Sequence, residues 1–131
     1  MPLCLAAGAV SVTLAIQSFT LAWTHSIEKV RWEEDWRIEG RQLEIVAARI
    51  RGSGAGMEPP PDAALRNGVW HYRPTIAPID RLTLANSPYT AGYELCSSGA
   101  CRPLIEHLPS MPKHAGDTVV LTAAPCANPT H

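Results

Sequence analysis

The chain has 131 residues, 46% of them hydrophobic and 18% charged, with a formal net charge of −1. That length predicts a single domain, 1–131, able to bury about two-thirds of the surface its unfolded form exposes. The mixed, near-balanced charges exclude the basic face of a nucleic-acid or membrane-surface binder, and the apolar content excludes global disorder.

Twelve prolines and nine glycines suit a loop-rich β-protein better than a helical bundle. Met1 to Ile16 (MPLCLAAGAVSVTLAI) is apolar and rich in small residues. No Lys or Arg precedes the apolar run, so it lacks the n-region of a secretory signal. It is also shorter than the ~20 residues of a transmembrane helix. Val10, Val12, Leu14 and Ile16 alternate with Ser11, Thr13 and Ala15, which predicts a half-buried strand. Leu3-Cys4-Leu5 precedes it as a short strand, with a turn at Ala7-Gly8.

Phe19, Leu21, Trp23, His25 and Ile27 share one face of the next predicted strand. After a charged turn at Glu28-Lys29, Val30, Trp32, Glu34, Trp36 and Ile38 share a face. Arg31, Glu33, Asp35, Arg37 and Glu39 share the opposite one, which reads as charged and wet. Gly40 turns the chain into a third strand, Gln42 to Arg51, whose alternation slips at Val46-Ala47. A β-bulge or burial on both faces explains such a slip.

Gly52 to Asp62 (GSGAGMEPPPD) is loop. Ala63-Ala64-Leu65 forms one helical turn at most, and Asn67-Gly68 is a strong turn signal before Val69 to Arg73. Arg81 to Ala85 is a strand. Tyr93 to Cys96 and Cys101 to Leu104 flank Ser-Ser-Gly-Ala as a hairpin. Ile105 to Ala115 is ambiguous, Thr118 to Thr122 is the last strand, and 123–131 is a loosely ordered tail. About eight short strands without a convincing helix predict an all-β fold: a single-domain antiparallel β-sandwich or partly open barrel.

His25 and Glu34 both fall on faces patterned as buried. A hairpin about Glu28-Lys29 would set them opposite or diagonal to each other, and an imidazolium would keep the buried carboxylate charged. Such a pair serves either as the polar floor of a ligand site, or an acid/base pair, or as a satisfied contact that fixes register; the last is the favoured reading. His25 cannot readily activate Ser26, because neighbours on a strand point to opposite faces, and no G-x-S-x-G elbow occurs. Gly52 to Gly56 lacks the Lys-Ser/Thr of a phosphate loop.

Four cysteines, none spaced C-x2-C, suit disulfides in an oxidising compartment rather than zinc. Cys96 and Cys101 can close a hairpin, and Cys4 and Cys126 can tie the first strand to the last; redox-active cysteines are the alternative. His25, His71, His107, His114 and Glu33-Glu34 are scattered, so no metal or cofactor is expected.

The run FTLAWTHSIEKVRWEEDWRI, followed by Gly54-Ala55-Gly56-Met57, resembles the domain-of-unknown-function family 1850. Its pattern is a strand ending in Tyr/Trp-x-His-Ser-Val-Glu-Lys/Arg, an acidic-aromatic strand and a Gly-Ala-Gly-Leu/Met-Pro loop. His25-Ser26-Ile27-Glu28-Lys29 and Gly54-Ala55-Gly56 are the specific matches; Glu58 departs from the Pro of the loop. Members are small proteins encoded beside TAXI-type TRAP transporters. The resemblance therefore implies a non-enzymatic extracytoplasmic accessory, docking on the TRAP membrane subunit or its solute-binding protein. It implies no established binding residues. Relatives often carry a membrane or signal segment before the position of Leu3-Cys4-Leu5. The expected location is therefore periplasmic or membrane-associated, and cytoplasmic if Met1 is the true start. The alternative is a small-ligand binding domain with a polar site at His25, Ser26, Glu28, Glu34, Gly54 and Gly56. An exposed aromatic patch favours the accessory, and a concave site with convergent polar groups favours the ligand binder.

Overall fold

Alternating apolar and polar residues, punctuated by Gly, Asn and Pro, fold into paired strands throughout a computed structural model, which describes residues 1–8, 10–24, 30–51, 62–85, 92–108 and 118–126. Eleven strands lie among the described residues: β1 (Leu3–Ala7), β2 (Val10–Leu14), β3 (Ser18–Thr24), β4 (Arg31–Glu39), β5 (Gln42–Arg51), β6 (Ala64–Arg66), β7 (Val69–Tyr72), β8 (Arg81–Ala85), β9 (Glu94–Ser97), β10 (Ala100–Pro103) and β11 (Thr118–Thr122). A short 3-10 turn covers Leu104–His107. They form two antiparallel sheets, four strands in the order β2-β1-β11-β8 and seven in the order β10-β9-β3-β4-β5-β7-β6. This is the all-β sandwich that the alternation predicts.

The strand count exceeds the eight or so expected, and the strand not read from the sequence is β6, whose three residues are too short for alternation to show. Ala64–Arg66 is strand β6, not a helical turn. Asn67 (φ 52°) and Gly68 (φ 77°) both adopt positive φ, the requirement of a type I′ hairpin turn. That turn sets Arg66 opposite Val69 and Leu65 opposite Trp70, so pairing overrides the helical preference of Ala-Ala-Leu. Ser98 and Gly99 (φ 53° and 81°) do the same for β9 and β10.

The slip at Val46-Ala47 is a bulge. Asp35 pairs with Ala47 but Trp36 pairs with Ile45, which leaves Val46 as the extra residue on β5. Ahead of it Leu43 and Ile45 face the core, and after it Ala48 and Ile50 do so, all four buried.

The core lies between the sheets. Leu3, Leu5, Val119, Leu121 and Leu84 of the smaller sheet pack against Phe19, Leu21, Trp36, Ile38, Leu43, Ile45 and Leu95 of the larger. Met1 to Ile16 thus supplies two strands rather than a helix. Leu104, at the start of the 3-10 turn, and Leu108, just beyond it, cap this core; Leu108 lies within the stretch that the sequence leaves ambiguous.

Both expected disulfides form. Cys4–Cys126 joins β1 to the chain just beyond β11, and Cys96–Cys101 links directly opposed residues of β9 and β10 with a Cα separation of 4.0 Å. Ala123 is buried in the core, and the Cys126 amide donates to Thr13 Oγ1 at 3.0 Å. Residues 123–126, expected as the start of a loose tail, are thus held against the sandwich, and 127–131 lie outside the described residues. Among the described residues no helix is long and apolar enough to cross a membrane.

Candidate functional site

The larger sheet gives its two faces opposite chemistry, and β4 carries both. On the inner face the register lines up Leu65, Trp70, Ile50, Trp32 and Trp23 across five adjacent strands. Trp23 and Trp32 stack with centroids 6.1 Å apart, and Trp23 meets Tyr93 at 5.4 Å with the rings tilted by 58°. Cross-strand aromatic pairs of this kind stabilise by roughly 0.5–1.5 kcal/mol beyond the area they bury. The row lies beyond the inter-sheet core. Ile50 is fully buried, Trp23, Trp32 and Trp70 are half-buried, and Leu65 at the end is 57% exposed.

The next row holds Tyr72, Ala48, Glu34, Leu21 and Leu95. Glu34 is half-buried on this face, as its position in the alternation predicts. Trp36 Nε1 donates to its Oε1 at 3.3 Å. Burial pushes the Glu34 carboxyl above the usual carboxylate range, and the Trp36 bond offsets part of that. Burial likewise raises the Tyr72 and Tyr93 hydroxyls, with the Glu34 charge adding to it. The result is one acidic group set between the core and an aromatic row.

The outer face is charged, as the alternation predicts, and wet at Arg37 and Glu39, but from Arg31 to Asp35 it is partly enclosed. The Glu33 side chain is only 13% exposed, enclosed by three arginines. Arg49 Nε and Arg51 Nε donate to Glu33 Oε1 at 3.1 and 2.9 Å, and Arg31 Nε donates to Oε2 at 3.2 Å. Arg49 also grips Asp35 with both terminal nitrogens, at 2.6 and 2.8 Å, while Thr20 Oγ1 donates to Asp35 at 2.7 Å. Arg31 reaches across β3 to Glu94 on β9 at 2.7 Å. It passes over Ala22, which pairs with both Glu33 and Glu94 and is fully buried; a longer side chain there would block the crossing.

These contacts set the acidities. Burial alone would raise Glu33, but the hydrogen bonds from Arg51, Arg49 and Arg31 outweigh it and hold the carboxyl below its usual range. The Arg49 bonds do the same for Asp35, against burial and with help from Thr20. Glu94 raises Arg31, and Asp35 raises Arg49. An open cavity of about 690 Å³ lies over this network, with Thr20, Asp35, Arg49 and Arg51 in its floor and the Cys96–Cys101 hairpin at its rim.

Of the residues predicted for a site, Glu34 is placed among aromatic side chains. His25, Ser26, Glu28, Gly54 and Gly56 lie outside the described residues. The register corrects one expectation: Leu21 stands opposite Glu34, with Phe19 and Trp23 on its diagonals, so those positions do not belong to His25. Sequence reasoning missed the Arg31, Arg49, Arg51 and Glu94 network. Its signal was present, because Arg49 and Arg51 share a face of β5 once the bulge is counted, beside the acidic face of β4.

A family profile described as "Domain of unknown function (DUF1850)" matches residues 19–104. The matched span takes in all of the larger sheet except Ser18, together with β8, and leaves out β1, β2 and β11. No curated protein and no solved structure matches the chain.

Proposed function

The chain belongs to the family described as a domain of unknown function (DUF1850), and from that premise we propose that it is a non-enzymatic accessory module of a TAXI-type TRAP solute uptake system. It docks on the transporter's membrane subunit or its solute-binding protein. The observation that carries this reading is the aromatic row, which runs from stacked Trp23 and Trp32 through Trp70 to the exposed Leu65. Tryptophan is among the residue types in which protein-binding hot spots are enriched, and Leu65 adds exposed apolar surface beside the tryptophans. The two disulfides are compatible with an oxidising, extracytoplasmic compartment. Co-purification from membranes tests the proposal: tagged chain should retain a TRAP component, and loss of that component at physiological salt would count against it.

Glu34 favours a second reading, a small-ligand domain in which this half-buried carboxyl recognises a polar ligand near His25 and the Gly54–Gly56 loop. Substrate-sized cations and neutral donors should then bind wild-type protein and lose affinity for Glu34→Gln. Calorimetry that finds the same affinity in both would count against it.

A further inference from the structure

The two disulfides differ in what can reach them. Cys4 is 6% exposed, on a strand held between β2 and β11 inside its sheet, and its partner Cys126 is half-buried. Its bond to Cys126 spans a sequence separation of 122. Cys96–Cys101 spans a separation of 5 and lies at the edge of the larger sheet, where β10 is the terminal strand and Ala100, Cys101, Arg102 and Pro103 are all exposed. Both sulfurs' residues line the outer-face cavity together with Arg49 and Arg51. Access and electrostatics both bear on thiol–disulfide exchange, in which a thiolate must approach one sulfur of the bond. Arg37, Arg49 and Arg51 line the cavity together with Glu33 and Asp35, an excess of one guanidinium that mildly favours an incoming anion.

We propose that Cys96–Cys101 is a site of thiol–disulfide exchange with a small thiol of the glutathione type, entering from the outer-face cavity, while Cys4–Cys126 is a structural bond. The incoming thiolate attacks Sγ of Cys101, the exposed partner. A new S–S bond forms there, the bond to Cys96 breaks, and Cys96 leaves as a thiolate that takes up a proton. A second thiolate attacks the small-thiol sulfur of the mixed disulfide and releases Cys101, which is protonated in turn. Two small thiols are oxidised to their disulfide and one protein disulfide is reduced, with two protons passing from the small thiols to the two cysteines. The β9–β10 hairpin at the cavity rim then keeps only its ladder and its Ser98-Gly99 turn.

The test uses full-length oxidised protein under native conditions with graded glutathione, an iodoacetamide quench and peptide mass spectrometry. Glutathione on Cys101 and alkylation of Cys96 are expected, at least about tenfold faster than any modification of Cys4 or Cys126. Equal rates at the two bonds, faster opening of Cys4–Cys126, glutathione on Cys96 in place of Cys101, or no reaction at millimolar glutathione would each overturn the proposal.

Discussion

Arg49 clamps Asp35 with both terminal nitrogens, at 2.6 and 2.8 Å, beside the extra residue Val46. Ala47 is the residue opposite Asp35, so Arg49 reaches it diagonally from two positions along β5. Its Nε turns to Glu33 at the same time. One planar guanidinium thus fixes two carboxylates of β4, a geometry that a single ammonium cannot reproduce.

Arg49→Ala should leave two partly buried carboxylates short of donors and destabilise the fold by about 2–3 kcal/mol. Arg49→Lys should recover part of this and still cost about 1 kcal/mol, because the two-pronged contact is lost. Urea unfolding of the three proteins gives the ranking; equal midpoints for Lys and wild type would show that geometry does not matter here, and equal midpoints for Lys and Ala that the charge alone contributes nothing.

Acid should dissolve this network. Glu33 and Asp35 are held below the usual range, so the unfolded chain takes up protons at a higher pH than the folded one. Their contribution is present above the unfolded values, about pH 4, and fades as pH falls through the folded ones. A melting series from pH 6 to pH 2 should show stability falling below about pH 4, with a shallower fall in Arg49→Ala, whose carboxylates have lost their main partner.

Glu34 has the opposite sign. Its carboxyl is raised, so the folded protein holds a proton that the unfolded chain has already released. Its contribution to stability falls as pH rises from the unfolded value through the folded one. Glu34→Gln, which keeps an acceptor for Trp36 Nε1, should therefore stabilise the protein at pH 7, by less than about 1 kcal/mol at this half-exposed site. The gain should vanish below about pH 4, where the carboxyl is protonated in both states. Thermal melts at pH 7 and pH 3 check it, and an equal gain at both would assign the effect to packing.

Much of the sandwich is legible in the sequence. The inward residues of β3 and β4, the bulge on β5 and the two disulfides all follow from alternation, one slipped position and the placement of cysteines. β6 is not, because its three residues fold as strand only when paired with β7. The enclosure of Glu33 was hidden for a related reason. Alternation along β4 assigns a side chain to a face, but whether that face is wet depends on what β5 and β9 place beside it. Arg49, Arg51 and Glu94 come from 16, 18 and 61 residues further along the chain. Glu34 was legible because it is the one charged residue among the inward positions of β4.

The most direct test of an accessory role is the affinity of the purified chain for the purified TRAP solute-binding protein and membrane subunit, measured for wild type and Leu65→Glu. Leu65 is 57% exposed, so the substitution should leave the fold intact, and a melting curve verifies that. The account predicts that one of the two partners binds wild-type chain and binds Leu65→Glu at least about tenfold more weakly, since the charge would have to be buried against the partner. Equal affinity for both proteins would contradict docking through the aromatic row, and no binding of wild-type chain to either partner would contradict the accessory role itself.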